Sequence, residues 1–186
     1  MSDIVNGSPD PTPAVPPADA PAAAGLRRFE PWLVLAVVAA DQVTKALVRA
    51  YVPLHDTIPV APGLLNLVHV RNTGAAFGVF NDVEFAYKPV VVALVAVTAL
   101  AGIAMYAARL GRHEWLARLG LALILAGAVG NLIDRVTIGA VVDFVDVVIG
   151  GWHFWAFNVA DSAITLGVIA VFLDMFGLGA HVSKTA

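Results

Sequence analysis

Four long apolar runs, separated by short polar or glycine-rich stretches, set the pattern of this chain. The first begins at Trp32 and continues to about Tyr51, the ~20 residues that a membrane-spanning helix needs, and Pro31 suits a first helical turn. The second opens at Lys88 and Pro89 and runs to about Ala108 with no charge inside it, the third from Leu119 to about Val136, and the fourth from about Ala156 to Phe176. Between the first two, Pro53, Pro59, Pro62 and Gly63 break the helix. Leu64 to Arg71 then alternates loosely, with Leu65, Leu67 and His69 against Asn66, Val68 and Val70, as a short strand does. Gly139 ends the third helix, Ala140 to Phe144 reads as a short extended piece, and Gly150-Gly151 with Trp152 and Trp155 marks an interfacial loop. The expected fold is a mainly α membrane protein of four transmembrane helices, with an extramembrane β element between the first and second.

Polar groups inside such runs are the informative positions. Desolvating a charge in a bilayer costs at least ~2.5 kcal/mol on insertion scales, so an ionisable residue there marks a functional site unless a partner or water offsets it. In the first run Asp41, Lys45 and Arg49 share one helix face at i, i+4 and i+8. Their plain reading is a structural Asp41–Lys45 ion pair, with the long cations reaching towards the nearer interface. In the third, Gly127, Asn131, Asp134 and Arg135 share a face, and the small residues permit close helix packing. Asp134 reads as a structural pairing or cap, and Asp146 and Asp174 as solvated interfacial groups. Asp143 on the extended piece and Asp161 at the head of the fourth run, one turn after Asn158, are then the candidates for a working pair.

Composition narrows the chemistry. The chain has 186 residues, 59% of them hydrophobic and 13% charged, and a positive mean hydropathy, outside the range of soluble globular domains. Without cysteine it can hold no disulfide, thiolate metal site or catalytic thiol. Its five histidines are scattered with no His-x-x-x-His pair, which argues against a metalloprotease; no metal or organic cofactor is expected. Residues 1–28 are rich in Pro, Ala, Asp and Gly and are expected to form a disordered cytoplasmic tail. Arg27 and Arg28 ahead of an apolar run, with Val38-Ala39-Ala40, could pass for a signal peptide, but the apolar helix continues past Ala40. Basic residues Arg27, Arg28, Arg109, Arg112, Arg118 and Lys184 fall on one side of four spans. The positive-inside rule therefore puts both termini in the cytoplasm and Asp143 and Asp161 towards the outer face. Residues 29–178 form the expected membrane domain, with its extramembrane region at about 53–87, and 179–186 a short cytoplasmic tail.

Five motifs in order then resemble those of the lipoprotein signal peptidases (signal peptidase II), the bacterial inner-membrane aspartyl proteases that process prolipoproteins. They are DQVTK (Asp41 to Lys45), RNTGAAFG (Arg71 to Gly78), GNLIDR (Gly130 to Arg135), VVDF (Val141 to Phe144) and FNVADSAI (Phe157 to Ile164). The resemblance covers about residues 30–177. It implies that Asp143 and Asp161 are catalytic, that Asn72, Asn131, Arg135 and Asn158 line the substrate site, and that Asp41, Lys45, Gly74 and Gly130 support it. It also implies a β cradle and a short periplasmic helix between Pro53 and Tyr87. The implied substrates are diacylglyceryl-modified prolipoproteins, cut on the amino side of the lipid-modified cysteine, by an enzyme that contacts membrane lipid, binds no nucleic acid and acts as a monomer. The Pro/Ala-rich tail departs from the family pattern.

Two aspartates side by side suit peptide hydrolysis, because like charges a few ångströms apart cannot both ionise cheaply and so share a proton near neutral pH. One carboxylate takes a proton from water while the protonated partner polarises the scissile carbonyl. Two other uses of these residues are open to the same sequence. Ser162 with Lys45 could form a Ser-Lys nucleophile pair, although no Gly-x-Ser-x-Gly elbow surrounds Ser162. The carboxylates could alternatively serve as a proton or cation relay in a small transporter, although the chain shows no inverted repeat.

Overall fold

The computed structural model describes residues 29–74, 87–107, 109–110 and 114–178. The expected tails at 1–28 and 179–186, and residues 75–86 of the expected extramembrane region, lie outside the described residues. Among the described residues, four helices and four strands follow in the order α1 (Phe29–Tyr51), β1 (Thr57–Ala61), β2 (Leu65–Asn72), α2 (Lys88–Ala107), α3 (Trp115–Ile138), β3 (Val141–Ile149), β4 (Trp152–His153) and α4 (Val159–Met175).

The helices fall where the apolar runs place them. Three are long and apolar enough to cross a membrane: 22 residues of α1 from Glu30, 18 of α2 from Val90 and all 24 of α3. At 17 residues, α4 is the shortest of the four, near the lower limit for a span. Helix α3 is the centre of the bundle, packing on α1, α2 and most extensively on α4. That last contact is made by glycines. A Cβ on Gly120 would sit 2.6 Å from the carbonyl oxygen of Gly167, and one on Gly127 would collide with the carbonyl oxygen of Ala160, so only glycine lets the two backbones approach this closely. Large apolar side chains on the outer faces, among them Leu35, Leu47, Leu94, Val95, Leu166 and Phe172, are exposed, as helices facing lipid require.

The sheet differs from expectation. Its strands lie antiparallel in the order β1-β2-β3-β4; β1 and β2 come from between α1 and α2, but β3 and β4 come from between α3 and α4. The extended piece expected to end at Phe144 continues as β3 to Ile149, because Gly150 and Gly151, at φ 59° and 84°, form a tight turn into β4. Gly139, at φ 75°, terminates α3 and turns the chain into β3. The sheet docks on one end of the bundle through Val48 of α1 and Val52 just after it, packed against Val142 and Phe144 of β3. At the opposite end Arg118 donates to both carboxylate oxygens of Glu30, at 2.7 and 2.9 Å, and to the Leu110 carbonyl. Read from sequence as a loop cation, Arg118 is instead buried in an ion pair in the first turn of α3.

Candidate active site

The site lies where β2, β3 and the start of α4 meet the far end of α3. Asp143 is on β3, opposite Val70 of β2, and Asp161 is in the first turn of α4. Asn158 ties them together. As the N-cap of α4 it accepts from the Asp161 backbone N–H (2.9 Å), and its own backbone N–H donates to Asp161 Oδ2 (3.2 Å), the reciprocal pair of a capping box. Its side-chain amide donates to Asp143 Oδ1 at 2.7 Å. Backbone bonds between Val145 and Phe157, at 2.8 and 3.0 Å, fasten the two segments further.

Each aspartate has a donor on both oxygens. Asp143 Oδ2 accepts from Asn72 Nδ2 (3.3 Å), and Asp161 Oδ1 from Asn131 Nδ2 (2.8 Å). All four donors are neutral amides. Among the described residues no cation lies within ion-pairing distance of either carboxylate. Burial, and then the neighbouring Asp161 charge, push the Asp143 carboxyl up to about 7, against the opposing pull of Asn72, Asn158 and the more distant Lys45. Asp143 therefore holds a proton readily near neutrality.

The other expected residues surround this pair. Arg135 donates to the Gly74 carbonyl (2.9 Å) and to the Asn131 carbonyl (3.2 Å), pinning the turn after β2 to α3. That turn is formed by Asn72, whose Oδ1 accepts from the Gly74 N–H at 3.0 Å. Asn158 is fully buried and Asn131 nearly so.

Behind the pair lies a second buried cluster. Lys45 Nζ contacts Asp41 Oδ2 (2.9 Å), Asp134 Oδ2 (3.1 Å) and Asn131 Oδ1 (2.9 Å), which uses all three of its protons. The Asp41–Lys45 pair and the structural pairing of Asp134 are thus present as expected. Asp41 Oδ1 also accepts from the Ala160 N–H (2.9 Å), satisfying one of the free donors at the start of α4. Asp134 Oδ2 accepts from the Val142 N–H (3.0 Å), and Arg49 lies 3.8 Å from Asp134 Oδ1. Gly130 gives Asp41 its room, since a Cβ there would fall 2.7 Å from Asp41 Oδ2. Gln42 completes the cluster, its amide within 3.2 Å of Asp41, Asp134 and the Gly130 carbonyl. Gln42 lies inside the DQVTK motif but is given no role by the sequence; its place beside Asp41, on the face turned to α3, was the available signal.

Two other readings change here. Ser162 donates to the Asn158 carbonyl (2.9 Å), a helical back-bond, and Lys45 is saturated elsewhere, so no Ser-Lys pair forms. Asp146, expected to be solvated, is buried, and its Oδ2 accepts from Asn66 and lies 2.8 Å from His153 Nδ1 on the sheet.

An apolar helical bundle, closed at one end by a small sheet over two linked aspartates, defines a class of helical membrane protein built around a carboxylate pair. The model of the signal peptidase (SPase) II family matches residues 33–177. The lipoprotein signal peptidase of Geobacter sulfurreducens is 46% identical over 143 residues, 77% of this chain and 88% of that protein. That of Geobacillus thermodenitrificans is 45% identical over 144 residues, 77% and 87% of the two. A bacterial membrane enzyme solved by the in meso method at 2.3 Å matches with a TM-score of 0.73 and 30% identity over 85% of this chain and 93% of that one. A second such enzyme, at 1.9 Å, matches with 0.71 and 31% over 84% and 94%. This chain belongs to the signal peptidase II family, and it is a membrane-protein peptidase.

Proposed function

We propose that the chain is an aspartic-type endopeptidase that removes the signal peptide from diacylglyceryl-modified prolipoproteins, cutting on the amino side of the lipidated cysteine. The observation that carries this reading is the linkage of Asp143 and Asp161 through Asn158 with, among the described residues, only neutral donors on their oxygens. Such a pair holds one proton between two carboxyls. The ionised member takes a proton from water as the water oxygen attacks the scissile carbonyl carbon. The protonated member donates to the carbonyl oxygen, giving a tetrahedral diol. Collapse breaks the C–N bond: the amine leaves with a proton from one carboxyl while a diol hydroxyl gives its proton to the other, so the product is a carboxylic acid and the pair returns to its singly protonated state. Asn131 and Asn158 orient the carboxylates, Asn72 and Arg135 face the substrate backbone, and Asp41, Lys45, Gly74 and Gly130 support them.

In this reading α4 is the fourth span, both termini are cytoplasmic, and the site faces the outer leaflet, where a bond next to a lipid-anchored cysteine is presented. Residues 29–178 act as one catalytic unit and as a monomer, with 1–28 and 179–186 as cytoplasmic tails. A proton or cation relay gains no support from carboxylates gathered at one end of the bundle. The test is cleavage of a diacylglyceryl-modified prolipoprotein peptide by detergent-purified protein. Wild type is expected to cut before the modified cysteine and to leave the unmodified peptide intact, and Asp143→Asn and Asp161→Asn to be folded and inactive. Turnover retained by either variant, or no cleavage by wild type, overturns the reading.

A further inference from the structure

Asn131 can aim its amide at Asp161 in only one of its two orientations, and the groups on its other side decide which. Its Oδ1 accepts from Lys45 Nζ (2.9 Å) and from Asn158 Nδ2 (3.2 Å), while its Nδ2 donates to Asp161 Oδ1 (2.8 Å). A flipped amide would set its N–H groups against an ammonium and a second amide, and its oxygen against a carboxylate. Lys45 is fully buried, and so are Asp41 and Asp134, its ionic partners. Two carboxylates would be balanced by Lys45 and Arg49 alone, so the third proton of Lys45 is not needed for charge compensation, yet it is spent on Asn131.

We infer that Lys45 is a positioning residue of the aspartate pair: its ammonium, from the first helix, locks the Asn131 amide so that its N–H is presented to Asp161. Through Asn158, which shares the same Asn131 oxygen and donates to Asp143, the lock reaches the second aspartate as well. The inference rests on the aspartyl reading of Asp143 and Asp161. Among the described residues, the charged groups around the pair are Asp41, Lys45 and Arg49 from α1 and Asp134 and Arg135 from α3; β2 contributes the uncharged Asn72, with Arg71 on the opposite face of the strand. Removing the Lys45 cation lets the pair keep its proton to higher pH, since that cation opposes the upward push on Asp143.

The test compares three full-length proteins in detergent: Asp41→Asn alone, Asp41→Asn with Lys45→Met, and Asp41→Asn with Lys45→Gln. The amide introduced in place of the Asp41 carboxylate keeps an oxygen for the Ala160 N–H, and removing both members of the Asp41–Lys45 pair leaves the network balanced. With Met the expectation is a kcat lower than in Asp41→Asn by on the order of 10²-fold, a KM within threefold, and an alkaline limb of the pH profile moved upward. With Gln, a neutral donor restores part of kcat while the limb stays displaced. A fall in kcat with an unmoved limb and no recovery by Gln, unchanged turnover, or failure of both double variants to fold would each make Lys45 merely structural. Loss of activity in Asp143→Asn, measured in parallel, establishes first that the pair itself is catalytic, which separates failure of that reading from failure of this one.

Discussion

Two clusters of aspartates, all buried except the half-buried Asp161, lie back to back in this protein and share a neighbour in Asn131, yet their chemistry differs. Asp41 and Asp134 face Lys45 and Arg49, and their charges cancel. Among the described residues, Asp143 and Asp161 meet only amides. Burial costs both clusters, but the first offsets that cost with cations and becomes inert, while the second can reduce it by holding a proton. Reactivity follows from which counter-charge is left out, not from which residue type is put in.

The contrast can be broken most severely at the pair. Asp143→Asn or Asp161→Asn should lower kcat by on the order of 10⁴-fold with the protein still folded, read by cleavage of the lipidated peptide. Asp134→Ala should do the converse. By taking one of its two carboxylate partners from the buried Lys45, and its side-chain acceptor from the Val142 N–H, it should cost about 3–5 kcal/mol of stability, seen as a lowered melting temperature in detergent. Asp143→Asn should instead stabilise the protein, and only at high pH. A carboxyl held near 7 when folded and near 3.8 when unfolded favours folding less and less as pH rises between those values. Removing its charge therefore raises the melting temperature at pH 8, by up to about 4 kcal/mol of stability, and leaves it nearly unchanged at pH 4. Asn72→Ala removes one long hydrogen bond to Asp143, worth about 1 kcal/mol, and should lower kcat roughly fivefold. His153→Ala, whose partner Asp146 lies away from both clusters on the sheet, should change stability by less than about 1 kcal/mol and activity not at all.

Much of this was legible before any coordinates. Apolar runs gave the helices to within a few residues, and glycines at 139, 150 and 151 marked the ends of elements by conformations that suit no other residue as well. Asp41 with Lys45 follows from helical spacing alone. The partnership of Asp143 with Asp161 does not, because it joins a strand to a helix and came from motif order, with no periodicity behind it. The length of β3 was misjudged since Val145 to Ile149 is equally plausible as an apolar linker until β2 is there to pair with it. Glu30 with Arg118, 88 residues apart, carried no sequence signal at all. Neither did the burial of Asp146, which depends on the neighbours that the sheet provides.

The two hydrogen bonds between Val145 and Phe157 have a consequence for where in the membrane this protein can work. They stitch the strand bearing one aspartate to the entry of the helix bearing the other, so the height of the two carboxylates along the bundle is built into the chain. Bilayers differ in thickness by several ångströms, and a rigid protein meets such a difference by tilting or by deforming the lipid around it. The chain thus carries its own ruler: in a thick or a thin membrane the same distance separates the helix ends from the carboxylates, and it is the lipid that adjusts.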